Sequence, residues 1–200
     1  MKEISMDFFR DEVRNGFFIP TAVKQAWAAQ LQVLDVIETI CRKHDITYFA
    51  DWGTILGTVR HGGYVPWDDD MDICMKREDY TRFKEAAKTE LPKDFRIHDY
   101  EHQEDHWLFL SRVANSVHIN FEPEHMKQFH NFPYIAGIDI FVLDYLYKDE
   151  QQEKQRCEEV KHIIAVADSI IAGEIAQPVK EANLIQLEEK YHKTFNRSEE

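Results

Sequence analysis

Two segments of this chain alternate acidic and apolar residues with a period of two, and that alternation constrains the fold more than any other feature. In "WDDDMDICM", Met71, Ile73 and Met75 fall on one side of an extended chain, and Asp70, Asp72 and Cys74 on the other. In "GIDIFVLDYL", Ile138, Ile140 and Val142 share one side, while Asp139 stands on the other with Phe141 and Leu143. Both segments read as strands with one face in a core. A carboxylate in so apolar a strand is costly to bury unless its face meets a site. Asp70, Asp72 and Asp139 are therefore expected to form a cluster of three carboxylates on one sheet face.

The rest of the chain supplies the layers around that sheet. Thr21 can cap a helix running to about residue 44, whose apolar positions Val23, Trp27, Leu31, Leu34, Ile37 and Cys41 recur at helical spacing. "ITYFAD" reads as a short strand ended by Gly53-Thr54, and "TILGTVR" as a short helix closing at Gly62-Gly63. A strand is expected over 70–76, then a helix from Glu78 to Leu91 stopped by Pro92. "FRIHDY", "HWLFLSRVA" and "VHINFE" read as two or three strands, "NFPYIAG" as a loop and "IDIFVLDYL" as a further strand. From Gln151 the pattern is helical, broken at Gly173 and Pro178, with a second helix to about Phe195. The expectation is a mixed α/β core over 1–150, with helix 21–44 packed on it and a helical C-terminal subdomain over 151–200.

Composition narrows the function. The chain has 200 residues, 44% hydrophobic and 12% aromatic, enough for a real core. A formal charge of −13 argues against a nucleic-acid backbone as partner, although a nucleotide's few phosphates can be met by a metal and one or two basic side chains. "MKEISMDFFRDEV" lacks the apolar core of a signal peptide, and "IIAVADSIIAGEIA" is too short and too charged to span a bilayer. Cys41, Cys74 and Cys157 are far apart and form no C-x-x-C, so the expected location is the cytoplasm.

Two carboxylates two residues apart on a strand sit about 6.5–7 Å apart at the backbone, and their ends can converge on one hard cation. Without a cation, such proximity drives a carboxyl pKa upward. A solvated turn would explain an acid run alone, but not its apolar flank or the second aspartate. Asp68, Asp70 and Asp72 also match the start of a calcium loop. That reading fails at the sixth position, Ile73, where glycine is needed, and at the twelfth, Asp79, where a glutamate belongs.

Taken together, "YFADWGTILGTVRHGGYVPWDDDMDICMKREDY" and "GIDIFVLDYL" resemble the LicD family of phosphotransferases, which is related to fukutin-type enzymes and shares the polymerase-β-like nucleotidyltransferase fold. The likeness covers about residues 22–150 and combines GT-x-LG-x-x-RH-x-G, PWDDD-x-D and GIDIF in order. It implies an α/β (α+β) enzyme that moves a phospho-alcohol, foremost phosphocholine, from a CDP-linked donor to a sugar hydroxyl of a cell-surface glycan precursor, releasing CMP. The implied cofactor is Mg2+, with Mn2+ as a substitute. Asp70 and Asp72 match the family's metal ligands. Asp139 matches a third carboxylate that completes the metal site or accepts the acceptor's proton. Gly53 and Thr54 would let backbone approach phosphate at a helix N-terminus.

Arg60 and His61, one short helix further on, are expected at donor phosphates; their plain alternatives are a helix-end charge and an exposed cap. Arg77 matches a family position, and its rival is a surface pair with Glu78 or Asp79. Asp68 and Asp69 are expected as turn acids. If choline is the cargo, Trp52, Tyr64, Trp67 and Trp107 are candidates for contact with its ammonium, and Trp67 is taken as a substrate contact. His98, His102 and His106 would align only on a helix, and their stretch reads partly as strand. Longer family members carry a further C-terminal region with a Tyr-Gly-Asp stretch and a late histidine, for which the ending "YHKTFNRSEE" has no counterpart. Residues 151–200 are thus expected as a truncated subdomain. Two alternatives share the site: a nucleotidyltransferase moving a nucleoside monophosphate, and a non-catalytic nucleotide-binding module.

Overall fold

The longest helix of the first unit, α1 (Thr21–Lys43), buries Trp27, Ala28, Ala29, Val33, Ile37, Ile40 and Cys41; of the positions its spacing predicts, Trp27, Ile37 and Cys41 are buried and Val23, Leu31 and Leu34 half-buried. In the computed structural model, which describes residues 4–99, 110–173 and 177–191, the chain divides into two compact units, Met1–Asp144 and Tyr145–Glu200.

The first unit opens with a single 3-10 turn and a hairpin, β1 (Glu12–Arg14) and β2 (Phe17–Ile19). Its turn is Asn15-Gly16, both at positive φ, which is the sequence that a two-residue hairpin turn demands. After α1 come β3 (Tyr48–Ala50), α2 (Trp52–His61), β4 (Asp72–Lys76), α3 (Arg77–Glu90), β5 (Arg96–His98), β6 (Leu110–Ala114), α4 (Pro123–Gln128) and β7 (Gly137–Leu143). Among the described residues, five strands form one mixed sheet in the order β3-β4-β7-β6-β5. Only β4 and β7 run parallel; their neighbours are antiparallel.

One face of that sheet carries the core. Ile73, Met75, Val113, Ile138 and Ile140 pack with Val33, Ile37 and Ile40 of α1 and with Tyr80, Phe83 and Ala87 of α3. Each buried Val, Ile, Met or Phe among them contributes about 1.5–3 kcal/mol. The opposite face carries Asp72, Cys74, Asp139 and Phe141, and is open enough to leave Phe49 46% and Leu143 44% exposed.

Three expectations need correction. Thr21 is not the cap of α1: Pro20 holds that position, and Asp11 accepts the Thr21 N–H at 2.6 Å, so the cap comes from ten residues upstream. The strand expected from 70 begins at Asp72, leaving Asp70 and Met71 in the preceding loop. "VHINFE" is not a strand, because Asn115 turns the chain back onto Ala136 through N–H to O (3.0 Å) and N–H to Oδ1 (2.9 Å) bonds. Beyond that turn no strand among the described residues pairs with residues 117–122, and Val117, Ile119 and Phe121 are exposed. His98 lies on β5, in keeping with the strand reading of "FRIHDY"; His102, His106 and Trp107 lie outside the described residues.

The second unit contains α5 (Glu150–Ile171) and α6 (Gln177–Tyr191). Asp149 caps α5 by accepting the Gln152 N–H at 2.8 Å. Gly173, at φ +70, follows α5 in the left-handed conformation common after helices. No helix among the described residues is long and apolar enough to cross a membrane.

Candidate active site

The parallel pairing of β4 with β7 sets Asp72 opposite Asp139. Neighbouring strands are about 4.8 Å apart, so these carboxylates stand side by side on the open face. The start of β4 is fixed from two directions. Asp51 N–H donates to Asp72 O (3.0 Å), and Asp72 N–H donates to Thr54 Oγ1 (2.8 Å). Thr54 thus spends its hydroxyl oxygen tying α2 to the acidic strand. Asp51 also caps α2, accepting the Trp52 N–H at 2.9 Å. Trp52 sits at φ +40, a conformation that costs a bulky side chain about 1–3 kcal/mol.

The acidic loop before β4 is held by its backbone. Trp27 Nε1 donates to Asp68 O at 2.9 Å, and Gln30 Nε2 donates to Asp69 O at 2.7 Å. Tyr64 stacks on Trp27 with ring centres 4.7 Å apart and donates its hydroxyl to Gln30 Oε1 at 2.9 Å. Buried donors from α1 therefore grip a segment whose side chains repel each other. Gly53 completes the arrangement, since a Cβ there would overlap the Asp68 carboxylate.

Among the described residues, Asp68, Asp69 and Asp70 bring carboxylate oxygens within 4.8 Å of one another. Burial pushes Asp72 up to about 6, with Asp70, Asp139, Asp68 and Asp51 adding to the rise. Asp68 is raised as well, first by burial and then by Asp70. Asp72 thus meets negative charge from three sides: the loop acids on one flank, Asp51 on another, and Asp139 across the ladder.

One cation enters from the far side. Arg112 of β6 pairs in register with Asp139, and its Nε lies 3.5 Å from Asp139 Oδ1. Its side chain crosses Gly137, where a Cβ would collide with it. The glycine of "GIDIF" therefore opens the route by which Arg112 reaches Asp139. Neither Arg112 nor Asp51 was singled out from the sequence. Alternation in "LSRVA" carries the signal for Arg112, because Ser111 and Val113 are buried and leave Arg112 on the acid face.

The remaining expected residues stand elsewhere. Arg60 and His61 end α2, and the rise of a helix puts about 9 Å between the backbones of Thr54 and Arg60. Arg60 Nε donates to His61 Nε2 (2.9 Å) and lies over the Trp67 ring at 5.8 Å, while Asn15 Nδ2 is 3.3 Å from His61 Nδ1. Trp67, 56% exposed and next to Asp68 in the chain, links this group to the loop. Arg77 follows the last residue of β4, about 16 Å along the strand from Asp72. It pairs with Asp144 through bonds of 2.7 and 2.6 Å, an ion pair as the rival reading had it, but with a partner 67 residues away.

Residues 45–165 match the family model described as LicD/FKTN/FKRP, nucleotidyltransferase domain. A lipopolysaccharide cholinephosphotransferase, LicD, of Haemophilus influenzae is 43% identical over 53 residues, 26% of this chain and 20% of that protein. An uncharacterized protein of Rickettsia typhi is 39% identical over 54 residues, 27% of this chain and 18% of its own. The chain thus spans about a fifth of the length of these curated relatives. The family model matches more than half of the sequence and covers β3 through β7, the elements that carry all the aspartates of the site. On that match the chain belongs to the LicD/FKTN/FKRP family.

Proposed function

We propose that this chain has the nucleotidyltransferase fold and acts as a Mg2+-dependent phosphotransferase. It would move phosphocholine from CDP-choline to a sugar hydroxyl of a cell-surface glycan precursor, in the cytoplasm, with release of CMP. The observation that carries this reading is the pairing of Asp72 with Asp139 beside the Asp68–Asp70 loop. A raised Asp72 supports it, because a buried carboxylate among like charges favours its protonated form until a cation takes the proton's place. The Haemophilus relative's phosphocholine chemistry supports the cargo.

The donor set is entirely carboxylate oxygen, which suits Mg2+ or Mn2+ and not a soft metal. Asp70 and Asp72 are assigned as ligands, with Asp139 as the third carboxylate. When bound, the ion supplies neutralisation of the donor diphosphate. In the transfer, the sugar oxygen bonds to the phosphorus bearing choline, the bond from that phosphorus to the oxygen of CMP breaks, and the sugar proton passes to a carboxylate of the cluster. Asp139, the carboxylate outside the Asp70–Asp72 ligand pair, is assigned that acceptance, since a carboxylate bound to the cation has lost its basicity. Gly53 and the first turn of α2 are assigned to the phosphates, and Thr54 orients Asp72. Arg60, His61, Trp67 and Arg77 are assigned to outlying substrate contacts.

The test is CMP release from CDP-choline with Mg2+ and candidate sugars. Asp70→Asn and Asp72→Asn should each lower the rate at least about a hundredfold. Unchanged rates would remove these residues from the mechanism, and pyrophosphate in place of CMP would identify a nucleotidyl transfer.

A further inference from the structure

A cavity of about 450 Å³ opens beside the acidic loop, between α1, β3 and α2, and its lining includes Asp68 and Asp70. We propose that this cavity is the subsite for the transferred alcohol, and that it accepts a trimethylammonium head and rejects a polyol. The assignment rests on the reading of the aspartates as the diphosphate site.

Three observations carry it. First, the walls are aromatic: the stacked Trp27–Tyr64 pair, Tyr48 and Phe8 line the space. Aromatic faces attract a quaternary ammonium through the ring quadrupole, and more strongly when water is excluded. Second, the charge is complementary, with the Asp68 and Asp70 carboxylates lining the same space. The one lining cation, Arg14, is already paired with Glu12.

Third, the hydroxyl groups of the lining are already engaged. Tyr48 donates to Glu38, Tyr64 to Gln30 Oε1 and Thr58 to Thr54 O. Thr54 Oγ1 accepts from Asp72 N–H. A polyol placed here would find the Asp68 and Asp70 carboxylates as acceptors at one end, but a hydroxyl held against the aromatic and aliphatic walls away from them goes unmet, which is costly in an apolar cavity. A trimethylammonium group has no hydrogen-bond donors to satisfy. The cavity's size lies within the range of small-molecule sites.

The experiment is calorimetry on the full chain with Mg2+, titrating CDP-choline, CDP-glycerol and CDP. CDP-choline should bind about tenfold more tightly than CDP-glycerol. Thr58→Phe, at an exposed position of α2, and Ala50→Leu, on β3, both add bulk to the lining. Each should erase that preference while CDP binds as before, which also reports that the variant is folded. CDP-glycerol binding as tightly as CDP-choline, or variants that keep the preference, would overturn the assignment of the cavity alone. No binding of CDP with Mg2+ in the unmodified chain would overturn the diphosphate site, and the cavity assignment with it.

Discussion

The two faces of the central sheet are built by the same strands and do opposite work. On one face Ile73, Met75, Ile138 and Ile140 are at most 1% exposed and join the helices in a continuous core. On the other, one residue along each strand, Asp72 and Asp139 meet across the ladder with Arg112 beyond them. Hydrophobic burial holds the first face together, and the strands it fixes hold like charges close on the second. Stability and charge concentration are thus separated by a single step of the strand period.

The largest effect should come from breaking the core face alone. Ile138→Ala should cost about 2–5 kcal/mol in urea denaturation, because it leaves a cavity under both helices. Leu143→Ala, at a position 44% exposed at the end of the same strand, should cost less than about 1 kcal/mol. Equal costs would erase the distinction between the faces.

Next in size is the acid face, where a substitution should stabilise. Asp72 is raised from 3.8 to about 6, so between those values the folded chain binds more protons than the unfolded one. The contribution of this group to stability therefore falls as pH rises through that window, by up to about 3 kcal/mol. Asp72→Asn should be more stable than the parent without metal above pH 6, and the difference should vanish near pH 4. Adding Mg2+ should raise the parent's melting temperature at pH 7.5 and leave the variant's nearly unchanged. A parent more stable than the variant at every pH would contradict the charge-concentration reading.

A third comparison uses two glycines of α2. A Cβ at Gly57 would strike the backbone at Gly63 and Val65, which cannot yield, so Gly57→Ala should cost about 1–3 kcal/mol. At Gly53 the obstacle is the end of the Asp68 side chain, which can swing aside. Gly53→Ala should change stability by less than about 1 kcal/mol, yet weaken Mg2+ binding measured by calorimetry. The smallest effect belongs to the Arg77–Asp144 pair, with side chains 39% and 59% exposed. Arg77→Ala should cost about 0.2–1 kcal/mol, shrinking further in high salt.

Much of this architecture was legible from periodicity. α1, the two alternating strands and the helical second unit follow local rules that a few neighbouring residues enforce. The Asn15-Gly16 hairpin was equally readable from its turn chemistry and was overlooked. The same rules misread 117–122, because alternation licenses a strand only where a partner supplies the ladder. Asp70, two residues before β4, was read as strand for a related reason: Met71 O still accepts from Asp139 N–H at 3.2 Å, but the regular ladder starts after it.

What the sequence determined by itself was which residues face the core, that acids accumulate opposite them, and the family whose motifs these are. Tertiary structure decided how those acids are held: Trp27 and Gln30 gripping the loop from 41 and 39 residues away, Arg112 crossing Gly137, and a cavity lined by aromatic residues beside Asp68. The physical reason is range. Side-chain periodicity follows from backbone geometry within a few residues, whereas a hydrogen bond to a distant carbonyl exists only after packing has fixed both ends.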